Sequence, residues 1–315
     1  MKGMANHRTH SREPIVRVQE GTAHRRESVV RVQEETAHRR ESVVRVQEKT
    51  ALVLSAGGMF GAYQAGAYKA IAELAPPDIV VGASVGALNG WPIASGCSPD
   101  HLIEQWLDPS VGDTLKLFPN YGWTFLGRPG WFDPAPLRAR AHGIWHDYKP
   151  TIPCGLVVVE LPGLHSRLVQ HPNVHPAHLQ ATCSIPLFLP SVRIDGKRYL
   201  DGAIFEKIPI WAAIEMGATR IIAIDSMPKV GKWWLHLAID IAYAFKPRRR
   251  YPPKLNLTII SPSETLGDTD DAVYWKRANV ERWVDMGMRD ARRVLSPDAA
   301  RALSPVVAGR SATLR

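Results

Sequence analysis

The sequence predicts an α/β fold in which a parallel sheet is covered by helices, and three observations carry that expectation. Two short apolar runs, residues 51–54 and 78–81, each lead through a glycine-containing turn into a helical pattern of small residues. Consecutive β-turn-α units pair their strands in parallel and lay their helices on the sheet. Further apolar runs at 155–159 and 220–225 continue the same texture downstream. A chain of 315 residues, 45% hydrophobic and 22% charged, is long enough to bury such a core.

The first fifty residues differ from the rest. Segments 12–20, 26–34 and 40–48 are near-identical copies at a period of fourteen. Stacking repeats have periods above about 20 residues and vary at their caps, so this stretch reads as a duplicated, weakly structured extension. From Ala51 onward a strand at 51–54 ends in the turn 55–61, and a helix follows to Leu74, closed by Pro76-Pro77. Residues 78–81 form a second buried strand, 82–86 a tight turn, and Ala87 opens another helix. Residues 110–150, with Trp123, Trp131 and Trp145, read as an irregular insertion with a short helix from Pro134; insertions of this kind often cover an active site. Sheet texture returns at 155–159, 199–203 and 220–225, the last strand is expected at 255–260, and a closing helix at 272–295. The expected organisation is therefore an extension at 1–50, one domain at 51–295 and a tail at 296–315.

Charge and cysteines exclude several classes. Three widely spaced cysteines, Cys97, Cys154 and Cys183, build neither a disulfide framework nor a metal knuckle, and a reducing, cytoplasmic setting fits them. The polar N-terminus does not read as a secretory signal, and no run approaches the roughly 20 apolar residues of a membrane span. The net charge of +9 is unevenly placed: residues 1–51 hold 11 basic and 7 acidic residues, and 227–254 hold 7 and 1. The remainder is close to neutral, so the surplus says little about a substrate.

The chemistry concentrates at two turns and one aspartate. Gly82-Ala83-Ser84-Val85-Gly86 is a G-x-S-x-G sequence between strand and helix, the context of a nucleophile elbow. Ser84 would sit at a helix N-terminus, where free N–H groups favour developing negative charge; the alternative is an ordinary βα turn with an N-cap serine. Upstream, Gly57-Gly58-Met59-Phe60-Gly61 can turn backbone amides into a concavity for an oxyanion or a phosphate. A dinucleotide reading of this loop fails because Asp78 precedes its strand, whereas a ribose-binding acid belongs at the far end. Downstream of Asp201 the one histidine is His236, within an apolar segment, so a full triad is poorly supported. Asp201, followed by Gly202-Ala203, is the better proton acceptor, given an apolar setting.

In combination, these motifs resemble the patatin-like phospholipase family over residues 51–295. The residues that carry the resemblance are Leu52-Val53-Leu54-Ser55, Gly61-Ala62-Tyr63-Gln64-Ala65-Gly66, the 82–86 elbow, Ser184-Ile185-Pro186 with Pro190, and Tyr199-x-Asp201-Gly202-Ala203. The resemblance implies a three-layer α/β/α fold with a mostly parallel central sheet. It also implies a metal- and cofactor-free serine hydrolase of lipid acyl esters, with Ser84 as nucleophile and Asp201 as base. The amides of Gly57, Gly58 and Met59 would form the oxyanion hole, with Gly61, Gly82, Gly86, Gly202 and Ala203 supporting the motifs. The family loop normally has three glycines and a basic residue before the last one; here Ala56 and Phe60 stand in those places. A patatin-fold binding protein, or an acyltransferase using the same dyad, is the alternative.

His142 and His146 have helical spacing and His171, His175 and His178 cluster, but neither group has the flanking glutamate or cysteines of a zinc site. Residues 233–245 are apolar and precede Lys246-Pro247-Arg248-Arg249-Arg250. Trp233, Trp234, Arg248, Arg249 and Arg250 are thus candidates for contact with an anionic membrane, the alternative being a packed helix with a solvated basic loop. No nucleic-acid-binding module surrounds the basic run.

Overall fold

The computed structural model describes residues 48–117, 132–186, 188–226, 249, 251 and 255–296. Residues 1–47 of the expected extension (1–50), all but residue 296 of the expected tail, and the part of the insertion with Trp123 and Trp131 lie outside them.

Five strands run parallel: β1 (Thr50–Leu54), β2 (Ile79–Gly82), β5 (Cys154–Leu161), β9 (Arg220–Ile224) and β10 (Asn256–Ile260). The sheet order is β10-β9-β1-β2-β5-β8-β7, where β7 (Val192–Ile194) and β8 (Lys197–Asp201) form an antiparallel extension and β6 (His165–Gln170) also pairs with β5. A two-stranded ribbon, β3 (Lys116–Leu117) with β4 (Phe132–Asp133), lies apart. The mostly parallel sheet thus matches the expectation.

The β1 sequence shows why both faces are covered. Alternate side chains point to opposite sides. Leu52 and Leu54 join the core cluster of α1 (Gly61–Leu74), α2 (Val85–Ala94) and α7 (Arg277–Leu295), while Ala51 and Val53 pack with Ile210, Trp211 and Ala213 of α6 (Ile210–Glu215). A strand buried on both sides has no solvent face, so it reads as a continuous apolar run. Three more helices, α3 (Pro99–Leu107), α4 (Pro134–Asp147) and α5 (Pro176–Ala181), complete the described set.

Phe60 is fully buried, edge-on to Trp283 of α7 with ring centroids 4.9 Å apart. Phe60, which stands where the resemblance implies a basic residue, therefore belongs to the core. Beside it, the Tyr63 hydroxyl of α1 donates to buried Asp290 of α7 at 3.2 Å. The hairpin that delivers β8 turns at Asp195-Gly196, both at positive φ (48° and 80°), the pair that suits a two-residue β-turn.

Candidate active site

The register of β5 explains how residues 117 apart in sequence come together. Along the β5 edge not used by β6, the parallel partner β2 stops at Gly82 opposite Leu156, and the antiparallel partner β8 stops at Asp201 opposite Val158. The C-terminal ends of the two strands therefore point toward each other with Val157 between them. Ser84 leaves one end and Asp201 closes the other.

The turn that carries Ser84 depends on its neighbours. A Cβ at Gly82 would overlap the carbonyl of Gly86, and one at Gly86 would overlap that of Leu54, so the approach of α2 to β1 and β2 requires glycine at both positions. Ser84 itself takes φ 55° and ψ −132°, a conformation that costs a non-glycine residue about 1–3 kcal/mol. Something must hold it there. The Ser84 N–H donates to Thr182 Oγ1 at 3.0 Å, and the Thr182 hydroxyl donates to the Val157 carbonyl at 2.7 Å. Thr182 is fully buried. Thr182→Val, which keeps the shape and leaves the Ser84 amide without its acceptor, should cost about 1–3 kcal/mol of stability. Thermal unfolding should show this loss together with slower turnover.

Although Ser84 occupies the N-cap position of α2, its side chain makes no capping hydrogen bond. An ordinary capped βα turn does not fit that observation. The hydroxyl instead acts on the Asp201 carboxylate, favouring its charged form. The Ala203 N–H donates to Asp201 Oδ1 at 2.7 Å. Asp201 is 2% exposed and Ser84 6%. Burial pushes the Asp201 carboxyl up to about 7, against the opposite pull of the Ala203 amide and the Ser84 hydroxyl. Gly202 abuts the Val157 carbonyl, which seats the Asp201–Ala203 turn on β5.

Cys183 is buried, and both Ser84 and Asp201 act on its thiol. Burial first, and then the Asp201 charge, push that thiol well above its ordinary range. It stays protonated and is no rival nucleophile.

The glycine loop lies between β1 and α1. Gly58 takes φ +57°, and a Cβ there would overlap the Ala272 carbonyl. Beyond it the Met59 N–H donates to that same carbonyl at 2.9 Å. The loop containing Ala272 thus packs onto the glycine turn and engages the Met59 amide, one of the three expected oxyanion-hole donors. The Gly57 and Gly58 amides make no hydrogen bond among the described residues. Gly61 abuts Val85, the residue after Ser84, so the end of the loop touches the start of the helix that carries the serine.

Other expected residues fall elsewhere. Trp233, Trp234, Arg248 and Arg250 lie outside the described residues. The Arg249 guanidinium lies 3.7 Å above the Trp211 ring, with Nε 3.8 Å from buried Glu206. No described helix is long and apolar enough to cross a membrane. His175 and His178 cap α5 reciprocally, His178 Nδ1 accepting from the His175 N–H at 3.0 Å and His175 Nδ1 from the Ala177 N–H at 3.3 Å. No group of three or more candidate metal ligands occurs among the described residues.

Residues 52–149 and 167–214 match the model of a family described as patatin-like phospholipase. Among solved structures, VipD from Legionella pneumophila resembles the chain at 13% identity and a TM-score of 0.46, over 79% of this chain and 67% of that one. The type III effector protein ExoU resembles it at 12% identity and a TM-score of 0.40, with 79% of this chain matching 52% of that one. The chain thus spans about half the length of the latter.

Proposed function

The chain belongs to the patatin-like phospholipase family, and from that premise we propose that it hydrolyses acyl esters of lipids with Ser84 as nucleophile and Asp201 as base. The observation that supports this reading is the register of β5, which turns the ends of β2 and β8 toward each other and so brings Ser84 toward a buried Asp201 carboxyl, one that burial pushes up to about 7. A carboxylate in water is too weak a base to serve a hydroxyl, whereas one poised near neutrality can accept a proton and return it.

In the first half-reaction the Ser84 oxygen attacks the ester carbonyl carbon while its proton passes to Asp201. The carbonyl oxygen becomes an oxyanion, to which the amides of Gly57 and Gly58 can donate. Collapse of this intermediate breaks the bond to the alcohol, which leaves with the proton held by Asp201, and an acyl-serine remains. Water then attacks the acyl-serine, giving its proton to Asp201, and the carboxylic acid departs as Ser84 recovers its hydrogen. Apart from that water and the ester itself, each step uses side chains and backbone of this chain.

The test is direct. The full chain should release p-nitrophenol from a short-chain p-nitrophenyl ester and fatty acid from phospholipid vesicles. Release from the ester alone would make it an esterase of smaller substrates, and release from neither would overturn the proposal.

A further inference from the structure

Under the glycine loop lies a set of buried polar side chains that the reaction itself does not use. Gln64, in the first turn of α1, is fully buried; its Nε2 donates to the Ser55 carbonyl at 2.7 Å and to Ser226 Oγ at 2.8 Å. Its Oε1 accepts from Asn89 Nδ2 at 3.0 Å. Asn89, on α2 and 3% exposed, also donates from Nδ2 to the Gly61 carbonyl at 2.9 Å, and its Oδ1 accepts from Trp106 Nε1 at 3.0 Å. At the far side the Ser226 N–H donates to Ser55 Oγ at 2.9 Å. Both N–H donors of each amide are engaged, and both amide oxygens have a partner.

Two features of this arrangement go beyond packing. First, the two backbone carbonyls it grips, Ser55 and Gly61, bracket the loop that presents the Gly57 and Gly58 amides. A stretch rich in glycine has few side chains to fix its own conformation, so its aim depends on how its ends are held. Second, Asn89 stands on the helix that begins next to Ser84, so one pair of side chains joins the loop to the helix bearing the nucleophile. Apolar residues of similar size would fill the same space without the cost of burying two amides.

We propose that Gln64 and Asn89 are positioning residues, which tie both ends of the glycine loop to the Ser84 helix and so hold the Gly57 and Gly58 amides on the developing oxyanion. The inference rests on Ser84 being the nucleophile. Donors aimed at a charge that exists only in the transition state lose effect steeply when displaced. Loss of the clamp should therefore lower kcat and leave KM nearly unchanged.

The experiment measures the rate of fluorophosphonate labelling at Ser84, and kcat and KM with a p-nitrophenyl ester, in Gln64→Met, Asn89→Leu and the double variant. Each single change should slow both labelling and kcat by between about tenfold and a hundredfold. The double variant should be no slower than the slower single one, because both changes break the same clamp. Ser226→Ala, a smaller change that removes one acceptor of Gln64, should give a milder loss of the same kind and decides the matter if Gln64→Met does not fold. Tyr63→Phe, which breaks the bond to Asp290, should lower the melting temperature and leave the labelling rate at the wild-type value. Wild-type labelling in folded Gln64→Met or Ser226→Ala, losses that multiply in the double variant, or an equal loss in Tyr63→Phe would each overturn the inference while leaving the hydrolase reading standing. A wild-type protein that never labels at Ser84 would remove both.

Discussion

Replacing Ser84 by alanine should lower ester turnover by about 10⁴-fold or more, since the proposed covalent step would have no other nucleophile to pass through. The neighbouring groups do not offer a substitute. Cys183 is held as the neutral thiol by burial and by the Asp201 charge, and Ser184 donates its hydroxyl to the Gln180 carbonyl at 3.1 Å. The fold should be indifferent to the change. The hydroxyl of Ser84 makes no helix-capping bond, and its backbone link to Thr182 survives in alanine. The melting temperature should stay near that of the wild type, which separates loss of chemistry from loss of structure.

Asp201→Asn should raise stability at neutral to alkaline pH while also removing activity. Asparagine keeps an oxygen for the Ala203 amide but cannot take up the serine proton, and a fall in kcat of about 10²- to 10⁴-fold is expected. In the wild type, activity should rise with pH through about 7, because in the proposed role Asp201 would act as a base only once ionised. The sign for stability follows from where the proton resides. Below the ordinary carboxyl value of 3.8 the group is protonated in both folded and unfolded chains; between there and about 7 the unfolded chain loses its proton and the folded one keeps it. Stability therefore falls across that window, and above it the folded state carries the full cost of a buried carboxylate, on the order of 4 kcal/mol. Asp201→Asn is free of that cost. Its melting temperature should exceed the wild type's by several degrees at pH 8, and the difference should vanish near pH 4. A pH–rate profile and melting curves at the two pH values check both halves.

Much of this site is legible in the chain because its parts are local. The strands at β1 and β2 announce themselves as uninterrupted apolar runs, and the glycines at 82 and 86 stand where the carbonyls of Leu54 and Gly86 leave no room for a side chain. The Asp195-Gly196 pair marks the hairpin that brings Asp201 into line. Other parts are not local. Thr182 meets the Ser84 amide across 98 residues and Ser226 meets Ser55 across 171, and no spacing rule connects positions so far apart. Strand β6 is half-exposed and polar at alternate ends, with the sequence HSRLVQ, so it has no apolar run to mark it. Helix α3 is short and buries only Leu102 and Trp106. The Met59 amide meets the Ala272 carbonyl, over two hundred residues later, a contact that no local pattern announces. Phe60 looks like a lost cation and proves to be a core residue against Trp283.

The assignment of Ser84 and Asp201 is tested most directly by mapping, by mass spectrometry, the adduct that a fluorophosphonate forms with the full chain at pH 8, in the wild type and in Asp201→Asn. The expected result is one adduct, on the peptide containing Ser84, forming at least about a hundredfold more slowly in Asp201→Asn. An adduct on another serine, or a Ser84 adduct that forms equally fast without the carboxylate, would contradict the assignment.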